Sequence, residues 1–148
     1  DATGLVLSTG DGTGELLAIR DLALLDLRAL NHVTLSCCWG ADNFVHPGRC
    51  VISLPETLCR RGVRSVLACL WEVSDQFAPE FVLRYYTLLN NLPRSAALAA
   101  VQRECIRGHL VGFVGDARDP LLWAGFRLVG NGETLRLNEA NPGSVLQG

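Results

Sequence analysis

The sequence contains no methionine and no lysine, and all 13 of its basic residues are arginine. Without methionine the chain carries no initiator of its own. It is read as a piece of something longer, which opens at Asp1 almost inside a strand. Long apolar runs are also missing: no stretch could span a bilayer, and none has the layout of a secretion signal. No membrane partner is therefore expected. Charge of one sign is nowhere concentrated, the net charge being −2 with signs interspersed. That excludes the basic stripe of direct nucleic-acid contact and the polybasic tail of a lipid-surface binder. The six cysteines include no C-x-x-C pair and no Cys/His cluster with zinc spacing. No metal site and no cofactor are expected. Most of these thiols sit in apolar runs as small hydrophobes do, which points to a reducing cytoplasm without a disulfide framework.

What is present is a chain of 148 residues, 49% apolar, enough for one domain with a real core. Leu5 to Leu7 read as a strand before a glycine-rich turn, and the leucines of ELLAIRDLALLDL fall on a helical period. HVTLSCCW reads as a short buried strand, followed by turn chemistry from Gly40 to Gly48. CVISLPETLCRRG predicts a helix closed by Gly62, and VRSVLACLWEV a second buried strand. A helix follows, capped by Ser74 or Asp75, with Pro79 tolerable in its first turn. Another runs from a cap near Ser95 to Gly108. HLVGFVGDARD reads as a loop, Phe126 to Val129 as the closing strand, and the tail NEANPGSVLQG as frayed. Such alternation predicts an α/β layered domain with a mostly parallel sheet, whose sites gather at the C-terminal ends of strands.

Two segments stand at such ends: the Cys37-Cys38 pair, and LWEVSD with Trp71, Glu72, Ser74 and Asp75. Side chains alternate along a strand, so the two cysteines face opposite ways. From spacing alone the pair reads as core packing, since free Cys is usually buried and inert. A thiol at a strand tip, beside the backbone N–H groups of the turn at Trp39 and Gly40, is the other reading: a nucleophile with an oxyanion site. A base is then needed. His32 starts the strand that ends at Cys38, His46 sits in an exposed turn and His109 in a distant loop; each reads as a surface residue, and no dyad is complete in this chain. STGDGTGE lacks both the dinucleotide spacing and the Gly-Lys-Ser/Thr of a phosphate loop, and reads as a tight connection. Trp71, Trp123 and Phe126 read as core or pocket wall.

Taken together, these pieces resemble CHAT domains, relatives of caspases and separases. VTLSCCWG resembles their VVLSACETG element, and LCRRGVRSVLACLWEVSDQFAPEFVLRYYTLL their helix, strand, LWPVDD segment and following helix. LLWAGFRLVGN resembles their closing YWAAFVLVG strand, and TGLVLSTGDG their SGLLLADG strand. The four matches run in order from Gly4 to Asn131.

The resemblance implies a caspase-like three-layer sandwich, with a mostly parallel central sheet and helices on both faces. It implies a cysteine endopeptidase with a Cys-His dyad and a protein substrate. The family's nucleophile falls on Cys38, with Cys37 where Ala is usual, and the oxyanion turn falls on Trp39 and Gly40. Trp39 and Ala41 depart from the usual Glu and Gly there. The substrate pocket falls on Trp71, Glu72, Ser74 and Asp75. Separases read a basic side chain with an acid shortly after LWDVTD; Pro79 stands at that place, with Asp75 and Glu80 nearby as substitutes. The family's His belongs to a His-Gly motif before the SGLLLADG strand, so it is expected upstream of Asp1. Residues 1–131 would then be the C-terminal part of the domain and residues 132–148 a tail. Tetratricopeptide or sensor domains are the partners implied upstream, and a bacterial immunity effector one of the roles. The alternatives are a catalytically inactive pseudo-protease serving as a binding or assembly module, and an unrelated α/β binding domain whose cysteines only pack.

Overall fold

The structure is a computed structural model that describes residues 4–8, 10, 13–35, 43–44 and 52–133. Its organising strand is Ser65–Cys69, SVLAC, with all five residues buried. A strand covered on both faces needs no polar alternation, so a continuous short apolar run is what its position demands. In chain order it is the sixth strand among the described residues, β6. On one side it pairs in parallel with β3 (Val33–Leu35), Val33 opposite Val66 and Leu35 opposite Ala68. On the other it pairs antiparallel with β7 (Phe126–Gly130), Cys69 opposite Phe126. The sheet order is β3-β6-β7.

The pleat of β6 divides the core. Val66 and Ala68 join Leu22, Leu35, Leu54, Leu58 and Val63 on one face, under α1 (Ile19–Leu22) and α2 (Leu54–Arg60). Leu67 and Cys69 join the other face, under α3 (Ala78–Leu89) and α4 (Arg94–Ile106). Phe77, Phe81, Tyr85 and Leu89 recur every fourth residue and so line one stripe of α3. Ala97, Leu98, Val101 and Cys105 form the matching stripe of α4. The Arg84 guanidinium grips the Glu104 carboxylate with two nitrogens, at 2.7 and 2.9 Å, and ties the helices together on their partly exposed side.

Several expectations are corrected. The sheet is mixed, with one parallel and one antiparallel pairing among the described residues. One crossover helix returns a chain to the start of the next strand, which makes parallel pairs. Here two long helices, α3 and α4, and one short turn of helix at Pro120–Trp123 lie between β6 and β7. The chain comes back to the end it left, and β7 runs the opposite way. The helix expected from Glu15 is largely a strand: β2 (Gly14–Ala18) pairs antiparallel with β1 (Gly4–Ser8), and only the four residues of α1 are helical. A glycine-rich connection, with Gly10 at φ +85°, reverses the chain and offers β2 a neighbouring backbone, which outweighs leucine's modest helix preference. Leu24 and Leu25, further along the same leucine period, are exposed.

The helix expected from Cys50 begins at Leu54, after the two-residue strand β5 (Ile52–Ser53), which pairs with β4 (Asn43–Phe44). It does close at Gly62, whose φ is +108°. A Cβ there would come within 2.9 Å of the Arg28 Cα, so the position demands glycine twice over. Pro79 lies in the first turn of α3 as expected, but Phe77 is the cap, without a side-chain hydrogen bond. Ser74 caps the turn before it: its Oγ accepts from the Gln76 N–H and its carbonyl from Phe77 and Ala78. Ser95 caps nothing, because its N–H and hydroxyl both donate to the Gly132 carbonyl. The tail beyond Glu133 lies outside the described residues.

Candidate active-site edge

Parallel pairing puts the C-terminal ends of β3 and β6 on one edge of the sheet. The chain leaving β6 there is Leu70 to Asp75. The Leu70 N–H donates to the Gly125 carbonyl at 3.0 Å, and the Trp71 indole N–H to the Leu121 carbonyl at 2.7 Å. Leu121 belongs to α5 (Pro120–Trp123), which is capped by the Asp119 carboxylate accepting the Leu121 N–H, with proline as its first residue. Gly125 lets these pieces meet: a Cβ there would stand 2.8 Å from the Trp71 ring and 2.9 Å from the Cys69 sulfur. The exit of β6 and the approach to β7 are thus joined into one wall.

Along that wall Trp71 is half-buried, and Val73 packs against the α3/α4 core. Glu72, Ser74 and Asp75 are exposed. Phe77 meets the ring of Phe113 edge-on, with centroids 5.1 Å apart, and the Glu80 carboxylate lies against Gly112. Trp71, Glu72, Ser74 and Asp75 lie along the stretch that leaves β6 at this edge. The structure assigns Trp71's indole N–H to holding α5. Leu121 and Gly125, which complete the wall, were not singled out in the sequence, where PLLWAG reads only as a lead-in to a strand. Cys37, Cys38, Trp39, Gly40, Ala41, His46 and Cys50 lie outside the described residues.

The CHAT domain family model matches residues 1–131. The chain belongs to the CHAT domain family. No curated protein matches it, and no solved structure does. The CHAT family is caspase-like and related to peptidases.

The remaining thiols and histidines of this CHAT domain can be sorted by burial. Cys105 is fully buried in α4, and desolvation, with Glu104 adding to it, pushes its thiol up to about 11. Cys59 is raised by burial and by Glu56, and its S–H points to the Val129 carbonyl at 3.8 Å. Cys69 is buried under Gly125. The raised thiols of Cys59 and Cys105 stay protonated at neutral pH. His109 is exposed in the loop after α4. His32 stands at the opposite end of β3 from the candidate edge, as expected, but it is no surface residue. It is half-buried, with Nδ1 2.7 Å from the Ser65 hydroxyl. Desolvation, with the nearby Arg94 charge, holds its pKa down at about 4. Among the described residues no three His, Cys, Asp or Glu side chains are grouped to hold a metal, and no helix is long and apolar enough to cross a membrane.

Proposed function

We propose that this CHAT domain is a cysteine endopeptidase domain of a larger regulated protein, with Cys38 as its nucleophile. The supporting observation is the parallel register of β3 and β6. It brings to one edge the strand that runs on in sequence toward Cys38 and the strand that runs into Trp71–Asp75. Peptidase-related family membership supplies the chemistry to expect there. In the complete protein the sheet would extend to the caspase-like sandwich, with the base supplied by a His-Gly segment upstream of Asp1.

In this reading the upstream imidazole takes the Cys38 proton, and the thiolate attacks the scissile carbonyl. Backbone N–H groups in the Cys38–Gly40 turn hold the oxyanion. The intermediate collapses, breaking the C–N bond, and the imidazolium returns its proton to the leaving amine. Water then hydrolyses the thioester and regenerates the thiol. Trp71 forms the fixed wall of the pocket, while Glu72, Ser74 and Asp75 face the substrate. The domain acts on a protein, without a cofactor, in the cytoplasm, under control of tetratricopeptide or sensor segments outside this chain.

The test is mass-mapped alkylation of the native protein, upstream segment restored, with a limiting iodoacetamide pulse. Labelling of Cys38 at a pH well below the ordinary thiol range, while Cys59, Cys69 and Cys105 resist, is the expected result. Cys38→Ala should then abolish peptide cleavage and Cys37→Ala should mainly cost stability. Equal slow labelling throughout would favour the pseudo-protease instead. The observation behind that second reading is that His32, at the far end of β3, cannot serve the edge.

A further inference from the structure

At the other end of the sheet lies a buried charge that nothing described above uses. Arg94, the first residue of α4, is 2% exposed. Its Nη1 donates to the Asn131 carbonyl at 3.2 Å, but its Nε is buried without a partner. No described carboxylate lies within ion-pair distance of it. The acid that acts on it, Glu133, is exposed and takes the Asn131 amide, while Arg64 adds a second positive charge to the neighbourhood.

Two neighbours are in the same condition. Tyr85 is fully buried with its hydroxyl unpaired, and His32 has a buried, unpaired Nε2. Their rings lie 5.7 Å apart, and His32 is held by Ser65, whose strand partner Gly130 directly precedes the Asn131 that Arg94 binds. Each buried polar atom left unpaired costs roughly 1–3 kcal/mol, so three unpaired atoms from three elements call for an occupant.

The donor inventory limits what the occupant is. A guanidinium cannot shed its proton and only donates. The Tyr85 hydroxyl can donate. His32 Nε2 carries the proton when the Ser65 hydroxyl donates to Nδ1, and at 2.7 Å that pair is well made in either sense. Water would complete the hydrogen bonds but leave the guanidinium charge unmet in a dry surrounding. We propose that Arg94, Tyr85 and His32 hold a small monovalent inorganic anion of halide size, bridging α4, α3 and the start of β3. The site is separate from the edge assigned to peptide cleavage and does not depend on that assignment.

The test uses the 148-residue chain in sodium gluconate and in sodium chloride at one ionic strength. Chloride should raise Tm saturably by a few degrees, and a bromide-soaked crystal should show an anomalous peak beside Arg94 Nε. By linkage, halide should also raise the His32 pKa read by NMR. Arg94→Gln should abolish the Tm response. Should that variant not fold, Tyr85→Phe, which keeps the packing, should weaken the response severalfold. Equal Tm in both salts, or ordered water alone beside Arg94, overturns the proposal. So does a bromide peak without any effect on Tm, which marks an adventitious ion only.

Discussion

His32 shows how one side chain changes meaning between sequence and structure. A lone histidine before a strand looks like surface; burial against Tyr85, Tyr86 and Arg94 makes it a neutral anchor of β3 on Ser65. Its folded pKa, about 4, lies below the unfolded value of 6.5. Between those two values the unfolded chain binds a proton that the folded chain refuses. Stability is thus full above pH 6.5 and falls as pH drops toward 4. Denaturant unfolding across that window should show the slope, and His32→Gln should flatten it. Asp26 and Asp116, each held at about 2 by hydrogen bonds from the arginine two residues on, make their contribution lower in the acid range, which keeps the two effects apart. Arg94 was equally invisible in the sequence. The sequence does not single it out, because the carbonyls of residues 131 to 133, which bind its end of the helix, come from far along the chain.

Among the elements, those that were legible depend on neighbours close in sequence. Ser65–Cys69 is a compact apolar block after Gly62, α4 closes at Gly108 with φ +88°, and α3 carries its four-residue stripe openly. Those misread depend on a partner that their own residues do not reveal, near or far. β2 is a strand because β1 lies beside it, and Ser95 is committed to Gly132, 37 residues away. The candidate edge divides the same way. Trp71–Asp75 could be found as a segment, but the Trp71–Leu121 bond spans 50 residues and has no local signature. That wall can be tested directly. Gly125→Ala should cost about 1–3 kcal/mol by overpacking, with a shift in tryptophan fluorescence as Trp71 is displaced. Trp71→Phe should cost about 1 kcal/mol for the lost hydrogen bond, and limited proteolysis should then cut more readily near α5.

At the scale of the molecule, β6 is a partition. Leu58 belongs to the cluster on one face and Leu98 to the cluster on the other. Trimming each to valine should cost about 1 kcal/mol, and the double variant should show the sum, because the sheet keeps the two sites from sharing a cavity. A clear departure from additivity in urea unfolding would mean that the clusters communicate through β6.

The return through α3 and α4 before β7 also has a consequence in time. β6 leaves the ribosome long before the strand that will cover its second edge, and the whole α3–α4 hairpin is made in between. During that interval Leu67 and Cys69 have helices to pack against, but the backbone that will pair with Phe126–Gly130 has only water or another chain. A nascent chain halted after α4 should therefore self-associate. Release of the last strand, rather than collapse of the helices, should be the moment at which the domain becomes safe from its own copies.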